Sequence, residues 1–203
     1  MTPSRVRRLL TASIIAGLTA GAGTALAQSA PQSASPEALA STCAGCHGTD
    51  GTSLGPSTPT IASLSVEYFV MSMKDYKTGK RPATVMDRIA KGYSDEQIEA
   101  MAKYFQQKPF VRVSQPVDDG KVKAGKALAK KYCESCHEEE GKVGEGVGVL
   151  AGQKLPYMQY SVVDFLGGKR EMEKRQKQKF EALVNEQGRD SFDSILHYYA
   201  NVK

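Results

Sequence analysis

The sequence predicts an all-α protein assembled from two copies of one small unit, and three observations carry that reading. The motif Cys-x-x-Cys-His occurs twice, as Cys43-Ala44-Gly45-Cys46-His47 and Cys133-Glu134-Ser135-Cys136-His137, and uses all four cysteines of the 203-residue chain. The residues that follow match at a constant offset: Ile61-Ala62, Tyr68, Asp75, Tyr76 and Gly79-Lys80-Arg81 recur 89 positions later as Leu150-Ala151, Tyr157, Asp164, Phe165 and Gly168-Lys169-Arg170. The motifs themselves are 90 apart, so one single-residue gap reconciles the copies, as expected of a duplicated domain. Apolar residues recur at helical spacing, without long strand-like alternation.

Taken in order, the chain starts with a targeting pattern. Arg5, Arg7 and Arg8 precede an apolar run over residues 9–20, and Ala25-Leu26-Ala27 forms a small-residue cleavage site. A membrane anchor is the alternative, but the run is broken by Gly17 and falls well short of the ~20 residues a span needs. Residues 1–27 are therefore read as a cleaved signal peptide, which places the product in the periplasm with no membrane span in the mature chain. Cleavage removes three arginines and no acid, lowering the formal charge from +5 to +2. So small an excess is no argument for nucleic-acid binding.

The mature chain is expected to hold a first domain at residues 28–108, a linker at 109–119 and a second domain at 120–203. Ser35 is a helix cap with Pro36 at the first helical position, leading into the first Cys motif. Ser94 and Gln97 form a capping box ahead of Ile98, Met101, Ala102 and Phe105. Pro109 and Pro116 mark the linker. In the second copy Val122, Gly125, Leu128, Ala129 and Tyr132 make one apolar stripe, and Phe192, Ile195, Leu196 and Tyr199 make the closing one.

Two intervening residues place both sulfurs of each motif on one side of a helical turn, where they can form thioethers with the vinyl groups of a haem. The adjacent histidine then faces the iron. Three other chemistries use paired cysteines. Structural zinc wants its pairs about 15–20 residues apart, whereas 86 residues separate Cys46 from Cys133. A thioredoxin-like thiol pair needs a βαβ context, and disulfides give no reason for a histidine after both pairs. The reading is two covalently bound haems c, attached at Cys43 and Cys46 and at Cys133 and Cys136, with His47 and His137 as iron ligands.

With these motifs the chain resembles tandem class I cytochrome c domains, in which the first and last helices cross beside the haem. Gly125, eight residues before Cys133, matches that family's helix-crossing glycine, while Ser35 stands at the corresponding place in the first half. The resemblance implies an axial methionine in the loop before the last helix. Met101 lies on the apolar stripe, and Met71 and Met73 fall in a helical stretch, which leaves Met86. In the second half Met158 aligns with Phe69 inside a helix, which leaves Met172, although the loop before it is three residues shorter. Met86 and Met172 are thus the expected sixth ligands. Pro56 resembles the proline whose carbonyl accepts from the proximal ring, and no equivalent is evident in the second copy. His197 is read as a solvated surface residue, and Gly144 to Gly148 as a flexible loop beside the haem rather than a nucleotide loop.

Cys43-Ala-Gly-Cys-His-Gly, Arg88-Ile-Ala-Lys-Gly-Tyr-Ser94, the second motif, Leu150-Ala-Gly-Gln153 and Met172-Glu-Lys together resemble the cytochrome subunits of flavocytochrome c sulfide dehydrogenases. That resemblance implies an FAD-containing sulfide dehydrogenase subunit as electron donor and a soluble cytochrome c or other acceptor downstream. A free diheme carrier feeding a terminal oxidase and a diheme peroxidase-type enzyme are the alternatives.

Overall fold

The computed structural model describes residues 34–144 and 146–203, so the expected signal peptide lies outside the described residues, as does Glu145 of the glycine-rich loop. All regular structure among these residues is helical. The first half contains α1 (Pro36–Ser41), α2 (Ala44–His47), α3 (Val66–Thr78), α4 (Met86–Ile89) with a 3-10 turn at Ala90–Gly92, and α5 (Asp95–Gln106). The second contains α6 (Asp119–Tyr132), α7 (Glu138–Gly141), α8 (Leu155–Leu166), α9 (Lys174–Gln187) and α10 (Ser191–Asn201). Glu139 and Glu140 take left-handed backbone angles within the short α7. Among the described residues no helix is long and apolar enough to cross a membrane.

Local chemistry explains where these helices start. The Ser35 hydroxyl accepts from the Ala38 N–H and Pro36 opens α1. Ser94 and Gln97 exchange both bonds of a capping box at the head of α5, at 3.2 and 2.9 Å. The Asp118 carboxylate accepts from the Lys121 N–H and starts α6 at Asp119.

Each half has its own core. In the first, Ile98, Met101, Ala102 and Phe105 of α5 pack with Leu39 and Ala40 of α1 and Phe69 and Met73 of α3. In the second, Ala129 and Tyr132 of α6 pack with Ile195, Leu196 and Tyr199 of α10 and Met158 of α8. The helix crossings differ as the sequence suggests. A Cβ on Gly125 would collide with the Ser194 carbonyl oxygen, so glycine there lets α6 and α10 touch backbone to backbone. Ser35 is instead the end of a six-residue helix, and Leu39 and Ala40 make its contact one turn later.

The halves are joined by more than the chain. The Gln153 side chain donates to the Thr60 carbonyl and accepts from the Thr60 N–H, both at 2.9 Å and both buried. Val149 of the second half lies in the first half's core. Gln115, in the extended segment before α6, donates to the carbonyls of Gln153 and Ala200 and accepts from the Leu155 N–H. His197 departs from its expected solvated place: its Nδ1 accepts from the Asp118 N–H at 2.9 Å and its side chain is only 12% exposed. The chain entering α6 folds back over α10 and covers it.

Candidate haem sites

Both Cys-x-x-Cys-His motifs wind into a single helical turn. The His47 N–H bonds back to the Cys43 carbonyl at 2.9 Å and the His137 N–H to the Cys133 carbonyl at 3.0 Å, so the first cysteine and the histidine of each motif stand one helical turn apart. All four thiols are unpaired with one another. Burial pushes the Cys133 thiol up to about 12 and also raises Cys43, so neither is the low-pKa thiol of a redox pair.

The proximal rings are held alike. His47 Nδ1 lies 2.8 Å from the Pro59 carbonyl oxygen and His137 Nδ1 lies 2.9 Å from that of Gly148. A carbonyl only accepts, so Nδ1 carries the hydrogen and Nε2 keeps its lone pair for a metal. Burial lowers both imidazoles, His137 to about 4, against the opposing pull of those carbonyls. Both rings are therefore neutral at neutral pH, the form that iron binds. The acceptor is Pro59 and not Pro56, because the backbone turns back toward His47 only where the Thr60 side chain receives the Ser53 N–H. Pro59 and Gly148 stand 89 apart, so the repeat offset already pairs them.

Met86 opens α4 and Met172 lies in the loop just ahead of α9, both half-buried. Met101 and Met158 are in the two cores, and Met71 and Met73 are on α3.

A second constellation escaped the sequence reading. Arg81, almost wholly buried, donates to the Ser72 hydroxyl at 2.8 Å and to the Tyr157 phenol oxygen at 2.6 Å. Its guanidinium lies 4.7 Å from the Tyr76 ring centre, and Arg170 lies 4.2 Å from that of Phe165. These are repeat mates: Arg81 with Arg170, Tyr68 with Tyr157, Tyr76 with Phe165. Burial pushes the Tyr68 phenol up, but the guanidiniums of Arg81 and Arg170 outweigh it and lower it. Among the described residues no carboxylate comes within ion-pair distance of either arginine. Arg81 is buried and Arg170 half-buried, and a buried cation without an anion is costly. A pair of haems brings propionates, so these residues fit that cofactor. The repeat signal Gly-Lys-Arg had marked them without saying what they meet.

Comparison with known proteins agrees with this chemistry. Residues 36–108 match the cytochrome c family model. A cytochrome c4 from Pseudomonas aeruginosa is 35% identical over 156 residues, covering 72% of this chain and 77% of that protein. The cytochrome subunit of sulfide dehydrogenase from Chlorobaculum tepidum is 49% identical over 69 residues, covering 34% of this chain and 62% of that one. Among solved structures, reduced cytochrome c4 from Pseudomonas stutzeri superposes with a TM-score of 0.70 at 22% identity, over 83% of this chain and 97% of its own, which shows a shared fold. With two attachment motifs, two pinned histidines and relatives spanning both halves, the chain belongs to the cytochrome c family, as a diheme, cytochrome c4-like electron carrier with two covalently bound haems c.

Proposed function

We propose that this chain is the periplasmic electron-transfer subunit of a sulfide-oxidising flavocytochrome, taking electrons from an FAD-containing subunit and passing them to a soluble cytochrome c or another acceptor. The observation that carries the reading is the 49% identity over 69 residues to a protein described as the cytochrome subunit of sulfide dehydrogenase. The signal-like residues 1–27 support export.

In this reading Cys43 and Cys46, and Cys133 and Cys136, hold the two haems, and His47 with Met86 and His137 with Met172 bind the two irons. The bound haems supply one-electron chemistry. The chain holds both proximal rings neutral and oriented, and closes the sixth position with a thioether, which leaves no open iron for bond chemistry. A peroxidase-type activity would need one such position to be vacant.

A free diheme carrier is the second reading, favoured by the cytochrome c4 match across 72% of this chain. Sulfide separates the two. The chain's haems should be reduced slowly by sulfide alone and rapidly with the co-expressed flavoprotein, with which it should co-elute on gel filtration. Equal slow reduction in both cases, with no complex, would leave the free carrier.

A further inference from the structure

The second half contains one helix that the first lacks. Between Met86 and α5 there is only α4 and a 3-10 turn, whereas between Met172 and α10 the chain forms the fourteen-residue α9. Its inner face belongs to the fold: Leu183 is buried, and the Phe180 ring packs 5.7 Å from Phe165 and 4.7 Å from Phe192. Its first two turns are different. Lys174, Arg175 and Lys177 project into solvent and Lys179 is half-buried beside them.

These charges do not serve the helix. An α-helix favours acids in its first turn, and α9 has none there. Lys174 with Lys177 and Arg175 with Lys179 are like-charge neighbours on one surface. Glu173 at the cap makes no side-chain capping bond, and the one ion pair in the set, Lys177 with Glu181, is 4.0 Å long. By contrast α5 begins with Asp95 and Glu96, as its dipole prefers. The basic turn is also placed against the second attachment motif: the Arg175 guanidinium donates to the Ser135 carbonyl, between Cys133 and Cys136, at 3.4 Å. Glu134 lies inside that motif, and Glu171 and Glu173 flank the turn, but among the described residues none of the three ion-pairs with it.

We propose that the head of α9 is a docking surface for an acidic electron-transfer protein, and that it makes the second haem the one through which such a partner exchanges electrons. The inference rests on reading the chain as an electron carrier and names the charge of its partner and the end of the molecule it meets. A basic patch beside a redox centre raises the local concentration of an anionic partner and aligns it, an effect that salt screens.

The test uses the intact diheme protein and three probes: hexacyanoferrate as an anionic oxidant, tris(phenanthroline)cobalt(III) as a cationic one, and flavodoxin as an acidic redox protein. Two variants lose three positive charges each, K174Q/R175Q/K177Q at the patch and K91Q/K103Q/K123Q elsewhere. At low ionic strength the patch variant should react about fivefold more slowly with hexacyanoferrate, and faster with the cobalt complex, in the kinetic phase of one haem only. Both differences should close in 0.5 M salt, where the Debye length falls to about 4 Å. Flavodoxin affinity should fall at least about fivefold in the patch variant and far less in the other. Equal effects of the two variants, equal effects on both haems, or unchanged flavodoxin affinity would overturn the proposal. None of these probes involves sulfide or its flavoprotein, so the result is independent of the sulfide test.

Discussion

The Arg81 guanidinium, from the first half of the chain, donates to the Tyr157 phenol oxygen of the second half at 2.6 Å. Tyr157 is the repeat mate of Tyr68, and Arg81 that of Arg170, so the duplicated sequence supplies both sides of its own joint. A residue kept in both copies need not do the same thing twice in isolation. Here the two copies meet at it.

That joint sets the first prediction. Tyr157→Phe removes one acceptor from a buried guanidinium that keeps the Ser72 hydroxyl and the neighbouring Tyr68 phenol, at a cost of about 1 kcal/mol. Arg81→Leu and Arg81→Ala both leave the Tyr157 phenol and the propionates without their cation, and Arg81→Leu should cost less than Arg81→Ala, which also adds a cavity. Urea unfolding of the diheme protein, followed at the haem absorbance, gives the order of the three.

The helix crossings give the second. Gly125→Ala brings a Cβ into the Ser194 carbonyl, and the resulting backbone shift should outweigh the ~1 kcal/mol gain in helix propensity. A net loss of about 2–3 kcal/mol is expected. Ser35→Ala, at the corresponding position of the other half, removes only a cap bond and should cost about 1 kcal/mol. Thermal unfolding of the two variants compares them directly, and a larger loss for Ser35→Ala would contradict this account.

Much of this was legible in the sequence because the signals are local. A capping box, a Cys-x-x-Cys-His turn and an i, i+3, i+4, i+7 stripe each fit within one or two helical turns, and Ser94, Cys43 and Ile195 all stand where those patterns put them. What was missed depends on chain reversal. Pro56 and Pro59 both follow His47 closely in sequence, and only the return of the backbone at Thr60 selects Pro59. His197 has a polar helix position, and its burial comes from Asp118, 79 residues away. The basic run after Met172 is visible in the sequence only as charge, and the helix that displays it is held by Phe180 and Leu183 further along.

Acid stability provides the third prediction. Burial pushes the Asp193 carboxyl up, but Lys121 and Gln159 bonded to it outweigh that and hold it below the usual range. Lys121 reaches it from α6, Gln159 from α8 at 2.8 Å, and the His197 ring stands 3.8 Å away. A carboxyl with a depressed folded pKa contributes stability above its unfolded value of about 3.9 and loses it as the pH falls through the folded one. Asp193→Asn should therefore cost up to about 1 kcal/mol at pH 7, a modest figure for a partly exposed pair. The difference from the parent protein should shrink below about pH 4. A pH-independent difference, measured by urea unfolding from pH 3 to 7, would mean that shape rather than charge matters there.

The last prediction concerns the two methionines. Met86 opens a short helix at the edge of the first core, and Met172 ends the loop that precedes α9, so both are half-buried where Met101 and Met158 are buried. A core methionine replaced by alanine costs about 2–5 kcal/mol and leaves iron ligation intact. A ligating methionine replaced by alanine opens one coordination position instead. Met86→Ala and Met172→Ala should each remove half of the sulfur-to-iron charge-transfer band of the oxidised protein and permit one cyanide to bind, with the double variant binding two. Met101→Ala should lower the unfolding temperature while retaining the full band. If either loop variant keeps the parent spectrum and excludes cyanide, the ligand at that iron is another residue, and the sixth position in that half must be sought elsewhere.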